Sequence, residues 1–160
     1  MITTRAATPD DADSISAIAC EVQAAHAAAL PDIFKPAGLE TFPAATIATS
    51  IGQPGQLWWV ATTDGAVVGY AYAVIQRLPE TPWRRATEFL MLDQMGVRSD
   101  RRGAGIGSGL LRAVIDKAEH LGLGATRLQV WAFNDRARAF YRRHGFVEEQ
   151  ARLIRHTRRA

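Results

Sequence analysis

A chain of 160 residues, 48% hydrophobic and 22% charged, is long enough for one globular domain with a sizeable core. It holds no apolar run near the roughly 18 residues that cross a bilayer. The single Cys20 excludes an internal disulfide, and His26, His120, His144 and His156 lack metal-ligand spacing, so no metal site is expected. A formal net charge of +3 hides an asymmetry: acids gather early, whereas Arg136, Arg138, Arg142, Arg143, Arg152, Arg155, Arg158 and Arg159 gather late. No helix-turn-helix, zinc-finger or aromatic RNP pattern accompanies those arginines, which makes a solvated basic tail over 156–160 the better reading than a nucleic-acid site. Met1 to Asp13 carries acids and no apolar core of a signal peptide, so a cytoplasmic protein with no membrane partner is expected.

In chain order, Ile2 to Arg5 reads as a short strand. Thr8 then reads as a helix cap, with Pro9 at the first helical position and Asp10 and Asp11 in the first turn. That helix should run to about Ala29, where it passes into a break bracketed by Pro31 and Pro36, and a second helix should span about Leu39 to Ile51. Leu57 to Thr63 and Ala66 to Ile75 flank Asp64-Gly65, a two-residue turn signal, and form the clearest hairpin. Thr87 to Val97 reads as a strand from its length and position, although Leu90, Met91, Leu92 and Met95 intrinsically favour helix.

The most informative stretch follows: Arg101-Arg102-Gly103-Ala104-Gly105-Ile106-Gly107-Ser108-Gly109 leads into Leu110, Leu111, Val114, Ile115, Ala118 and Leu121 at helical spacing. Alternate glycines let the backbone approach a ligand, and a helix start offers amides without intrahelical partners together with the positive end of the dipole. With two guanidiniums beside it, the loop suits a phosphate. Two common phosphate motifs fail on spacing. A P-loop needs Gly where this chain has Ser108 and a Lys directly after it, whereas the next lysine beyond the loop is Lys117, and the dinucleotide fingerprint lacks its third glycine. Arg102-x-x-Gly105-x-Gly107 remains. After Gly122 and Gly124 come a strand at Arg127 to Ala132, a helix from about Asp135 to Arg143 and a last strand from about Phe146 to Ile154. The order, strands first and then strand-helix-strand-helix-strand, predicts an α/β (α+β) domain with a mixed sheet covered by helices.

A second motif, Asn134-x-x-Ala137-x-x-Phe140-Tyr141 ahead of Gly145-Phe146, stands one helix after Arg102-x-x-Gly105-x-Gly107. Together they resemble the Gcn5-related N-acetyltransferase superfamily, specifically over Val97 to Phe146 and in element order along the whole chain. His26 with Pro31 to Pro36 is similar to a subgroup of small single-domain bacterial enzymes. The resemblance implies a mostly antiparallel sheet of about six to seven strands flanked by four helices, in one domain over 1–155, and acetyl-CoA as cosubstrate. It implies that amides from Arg102 through Gly103, Ala104, Gly105, Ile106 and Gly107 to Ser108 wrap a pyrophosphate, with the Arg101 and Arg102 side chains adding charge. Backbone around Met95, Gly96 and Val97 would bind the pantetheine arm as an added strand, and Asn134, Ala137 and Tyr141 would line it. Asn134 serves equally as a helix cap.

Tyr141 matches the position that protonates the leaving thiolate, a sensible role for a phenol facing a thiol of pKa about 8.5. The amine acceptor, a small molecule or peptide, must lose a proton before it attacks. Asp93 and, five residues earlier, Glu88 are the candidate bases, Asp93 leading because it shares strand parity with Met91, Met95 and Val97, and an apolar setting makes a carboxylate more basic. The balancing reading is that Asp93 anchors a strand bulge or pairs with an arginine. Transfer would be direct, through a tetrahedral intermediate whose oxyanion a strand N–H such as that of Met95 stabilises. His26 and Phe34, then Trp58, Tyr70, Tyr72 and the loop from Leu78 to Arg85, are candidate acceptor contacts, with packing as the alternative for most of these aromatics. A non-catalytic acyl-CoA sensor is the rival function, and a homodimer is common among similar proteins.

Overall fold

The computed structural model describes residues 1–38 and 40–155; the expected helix start at Leu39 and the basic tail 156–160 lie outside them. By compactness the chain divides into residues 1–129 and residues 130–160. The first unit contains β1 (Ile2–Ala6), α1 (Ala12–Ala29), α2 (Ala44–Ser50), β2 (Gln56–Thr63), β3 (Ala66–Leu78), β4 (Thr87–Val97), α3 (Ile106–His120) and β5 (Thr126–Leu128). The five strands lie in sequence order in one sheet, antiparallel from β1 to β4 and parallel between β4 and β5.

Each start and stop has a local cause. A 3-10 turn at Pro9–Asp11 leads into α1, and the Asp11 carboxylate accepts the Thr8 N–H at 2.7 Å while binding the Arg5 guanidinium through two bonds of 2.8 Å. α2 begins later than Leu39 because extended Pro43 caps it. Asp64 and Gly65 both take positive φ, as a tight hairpin turn requires. α3 stops where Gly122 turns left-handed at φ +67 and the Leu123 N–H returns to the Ala118 carbonyl.

Two layers cover the sheet of the first unit. On one face α1 and α2 bury Ala12, Ile15, Ile18, Ala19 and Ile47 against Trp58, Val60 and Tyr70. On the other, Ile106, Leu110, Leu111, Val114 and Ala118 of α3 are buried, and a Cβ on Gly69 of β3 would meet Ile106 and Leu110 at 3.0 and 3.1 Å.

The expectation of six to seven strands is corrected to five among the described residues. β5 ends at Leu128 instead of Ala132, because its pairing with β4 stops at Leu92↔Leu128, one residue before β4 bulges. No strand forms over 146–154: Val147, Leu153 and Ile154 are exposed, and Glu148 is held by Arg138 and Arg142 at 3.0 and 2.9 Å. The second unit contains α4 (Asp135–Arg143), as expected.

Candidate functional site

β4 carries the decisive irregularity. Gln94 lies opposite Tyr72 and Leu92 opposite Ala73, so Asp93 has no partner on β3 and is the extra residue of a β-bulge. The bulge resets the strand's alternation. Met91 and Asp93 lie toward the α1 face, Gln94 joins them beside Tyr72, and Met95 and Val97, opposite Ala71 and Gly69, fall on the α3 face. The supposed shared parity of Asp93 with Met95 and Val97 therefore fails, and Asp93 is exposed instead of turned into an apolar setting. Glu88 is not brought to Asp93. It pairs across the ladder with Arg77 at 2.5 Å.

Beyond the bulge, the other edge of β4 has no strand beside it among the described residues. The Arg98 N–H donates to the Val68 carbonyl at 2.9 Å. In an antiparallel ladder the backbone groups of alternate residues face the same side, so those of Gly96 and Gln94 also face β3 and those of Val97 and Met95 face outward. Arg102 confirms the direction for Val97, since its Nε donates to the Val97 carbonyl at 3.1 Å. Gly96 has a packing role of its own. A Cβ there would lie 2.9 Å from Tyr70 Cε1 and 3.0 Å from Val22 Cγ2, so α1 can approach β4 only over a glycine.

The outward edge runs into the glycine loop. Arg98 and Asp100 form a two-bond ion pair at 2.6 and 2.8 Å, and the Ser99 N–H donates to Glu21 of α1 at 2.9 Å, fixing the strand exit. Arg101 lies 3.6 Å from Asp100. Gly103 and Gly105 adopt φ +88 and +81, values that L side chains resist, and Gly105 caps α3 without a side chain that could occupy the first amides. Residues 101–105 are exposed, Ile106 is buried in the core, and Gly107 and Ser108 are half-buried. The loop thus presents backbone donors, the positive end of a 15-residue helix and two guanidiniums.

On the α1 face near the bulge lies a row of aromatic and amide side chains. Trp58 stacks on Tyr72 with centroids 4.1 Å apart. The Trp58 N–H donates to Ser50 at 2.9 Å, the Ser50 hydroxyl to Gln56, and the Tyr72 hydroxyl to Gln56 at 3.0 Å. Tyr70 donates to Gln94 at 3.2 Å. Burial pushes both phenols up from their ordinary pKa, and the nearby Asp93 charge adds to both, with Cys20 adding to Tyr70. His26 and Phe34 meet edge to face at 5.2 Å, with His26 Nδ1 2.9 Å from the Val22 carbonyl. Ser50, Gln56, Gln94 and Glu21 escape sequence reading. Only the bulge, invisible in composition, would have directed attention to Gln94.

In the second unit, Asn134 Oδ1 accepts the Ala137 N–H at 3.0 Å and so caps α4. Tyr141 is half-buried, at 5.2 Å from the Phe140 ring and 5.7 Å from Phe146, and burial pushes its phenol up to about 12. Among the described residues no group of three or more His, Cys, Asp or Glu is placed to hold a metal ion, and no helix is long and apolar enough to cross a membrane.

The statistical model of the acetyltransferase (GNAT) family matches residues 22–146, so the chain belongs to that family. Solved structures share the fold. A mutant of the BH1408 protein from Bacillus halodurans superposes with a TM-score of 0.92 at 23% identity, covering 97% of this chain and 99% of that one. The aminoglycoside N-acetyltransferase AAC(6')-Iy in complex with CoA gives 0.69 at 16% identity, over 100% and 96% of the two chains. A ribosomal-protein-alanine N-acetyltransferase from Brucella melitensis biovar Abortus 2308 gives 0.68 at 18%, over 98% and 100%. No curated protein matches the sequence.

Proposed function

We propose that this acetyltransferase takes its acetyl group from acetyl-CoA and transfers it directly to a primary amine of a small molecule or peptide. The observation that carries the reading is the continuity of the outward β4 edge at Met95 and Val97 with the left-handed glycines and bare helix start after Arg102. An extended amide-bearing arm fits the first and a diphosphate the second. The solved structure of a similar fold with CoA supports the choice of donor.

A bound thioester supplies an activated acyl carbon; the rest falls to this chain. Amides from Gly103 to Ser108 and the guanidiniums of Arg101 and Arg102 neutralise the diphosphate. Met95 and Val97 hold the arm, and an outward N–H there receives the developing oxyanion. Asp93 takes a proton from the acceptor's ammonium through water, leaving the neutral amine to attack, since its exposed carboxylate carries no ion pair among the described residues, whereas Glu88 is occupied by Arg77. The role of Tyr141, protonating the departing thiolate, rests on its match to the family motif. His26 and Phe34 are the proposed acceptor contacts. The test is release of free thiol from acetyl-CoA across polyamines, amino acids, aminoglycosides and peptide N-termini. Saturable release with one amine class supports the reading, while tight acetyl-CoA binding without release from any amine favours an acyl-CoA sensor.

A further inference from the structure

The α1 face of the sheet carries two carboxamides whose orientation is fixed by their neighbours. Gln56 on β2 ends a directional chain. The Trp58 indole can only donate, and it gives its N–H to Ser50 at 2.9 Å, so the Ser50 proton passes on to Gln56 Oε1. The Tyr72 hydroxyl donates to the same oxygen at 3.0 Å, which uses both of its lone pairs. Gln94 on β4 receives the hydroxyl of buried Tyr70 on its own Oε1 at 3.2 Å. An amide whose oxygen is taken presents its two N–H donors on the opposite side. Neither Nε2 has a partner among the described residues, and both side chains are half-buried.

The two amides belong to one surface. Trp58, Tyr72 and Gln94 lie in register across β2, β3 and β4, and Gln56, opposite Val74, stands one side-chain repeat along on the same face. Strand spacing and rise put the Gln56 and Gln94 backbones roughly 12 Å apart, with Tyr72 on the strand between them. The bulge adds a third group. Successive residues of an unbroken strand point to opposite faces, whereas Asp93 and Gln94 both lie toward α1, so an exposed carboxylate adjoins the Gln94 amide. The Asp93 charge acts on both phenols, and no Lys or Arg among the described residues is bonded to Asp93, to either tyrosine or to either carboxamide. One anionic acceptor and two neutral donor groups therefore stand together without a bonded cation.

We infer that the acceptor is a primary amine bearing uncharged oxygen, as hydroxyl or carboxamide, with its ammonium at Asp93 and its oxygens on Gln94 Nε2 and Gln56 Nε2. The inference rests on the proposed acetyl transfer and adds to it a choice among amines. An alkylamine or a diamine has no oxygen to accept from the two amides, which then lose water without replacement. An amino acid brings its oxygen as a carboxylate, close to Asp93 and with no bonded cation to offset the repulsion.

Thiol release from acetyl-CoA, read as kcat/KM, tests the choice with amino alcohols, alkylamines and diamines of matched chain length, and with amino acids beside their amides. The wild type should favour an amino alcohol or an amino acid amide by about tenfold or more over its oxygen-free or carboxylate counterpart. The faster of those two arms tells hydroxyl from carbonyl as the source of the oxygen. Gln94→Glu and Gln56→Glu keep an oxygen for the Tyr70, Ser50 and Tyr72 hydroxyls but put an anionic oxygen in place of the donors. Each should lower the ratio of amino alcohol to alkylamine about tenfold and raise that of diamine to alkylamine, and taking ratios cancels any common effect on Asp93 or on CoA. Should either variant fail to fold, Gln94→Met or Gln56→Met replaces it, with the first ratio still falling. No release from any amine would overturn the proposed transfer and this inference with it. Release that is no faster with uncharged oxygen, or a preference unmoved by both substitutions, would overturn this inference and leave the transfer standing.

Discussion

At the residue scale, the two groups proposed to move protons differ in what surrounds them, and each yields a prediction. Tyr141 is half-buried, and its phenol, pushed up to about 12, stays protonated at neutral and mildly alkaline pH. Tyr141→Phe should therefore lower turnover by about 100-fold or more while changing CoA affinity little, and the wild-type rate should show no Tyr141 limb below about pH 10. Equal loss of turnover and affinity, measured by thiol release and calorimetry, would assign the residue to binding. Asp93→Asn should reduce turnover by about tenfold or more, whereas Glu88→Gln removes only an exposed ion pair with Arg77 and should leave turnover near wild type. The reverse ranking in the same assay would move the base to Glu88. Sequence reading left Asp93 two settings, an apolar strand face and a strand bulge, and the bulge is the one observed. Counting by twos along a strand assumes an unbroken pleat, and the bulge at that residue breaks it.

At the element scale, the helices and the antiparallel strands were legible because their signals are local. Thr8-Pro9-Asp10-Asp11 announces α1, Asp64-Gly65 the hairpin, and Asn134 the start of α4. β4 was a harder case: its leucines and methionines favour helix, and ten register pairs with β3 override that preference. The short β5 and the strandless stretch over 146–154 were misjudged for one physical reason. A strand needs a hydrogen-bonding neighbour, and that neighbour is a matter of tertiary placement rather than of apolar residues in a row. Two glycines on either side of Arg102 separate packing from binding. Gly96→Ala would drive a Cβ to 2.9 Å from Tyr70 and should cost about 1–3 kcal/mol in urea unfolding. A Cβ on Gly103 would meet nothing within 4 Å, so Gly103→Ala should lose only about 1 kcal/mol from its left-handed backbone, together with affinity for CoA.

At the scale of the whole molecule, one buried charge links the fold to pH. Asp11 is 6% exposed, and the Arg5 guanidinium, helped by Thr8, lowers its pKa from 3.8 to about 2. A carboxyl whose folded pKa lies below its unfolded value stabilises the fold fully above that unfolded value and loses the contribution as pH falls toward the folded one. The window therefore runs from about pH 4 down to about pH 2, and the stabilisation above it is at most about 2 kcal/mol. Asp11→Asn should lower unfolding free energy by up to that amount at neutral pH, with the gap from wild type closing near pH 2. A gap independent of pH would place the effect in the cap geometry alone. Family membership was legible from two motifs about thirty residues apart, because ligand contacts made by the backbone demand particular small residues at fixed spacing. The acceptor's identity was not, and neither was the row of Trp58, Tyr72 and Gln56, whose side chains come together only through the strand register.

The bulge also divides architecture from chemistry along a single strand. Were Asp93 deleted, Leu92 would still face Ala73 and Gln94 would still face Tyr72, so every flanking side chain would keep its neighbours and the ladder would close without a gap. A one-residue excision should thus yield a straighter strand in an otherwise intact sheet: a natural blank against which whatever the kink contributes can be weighed.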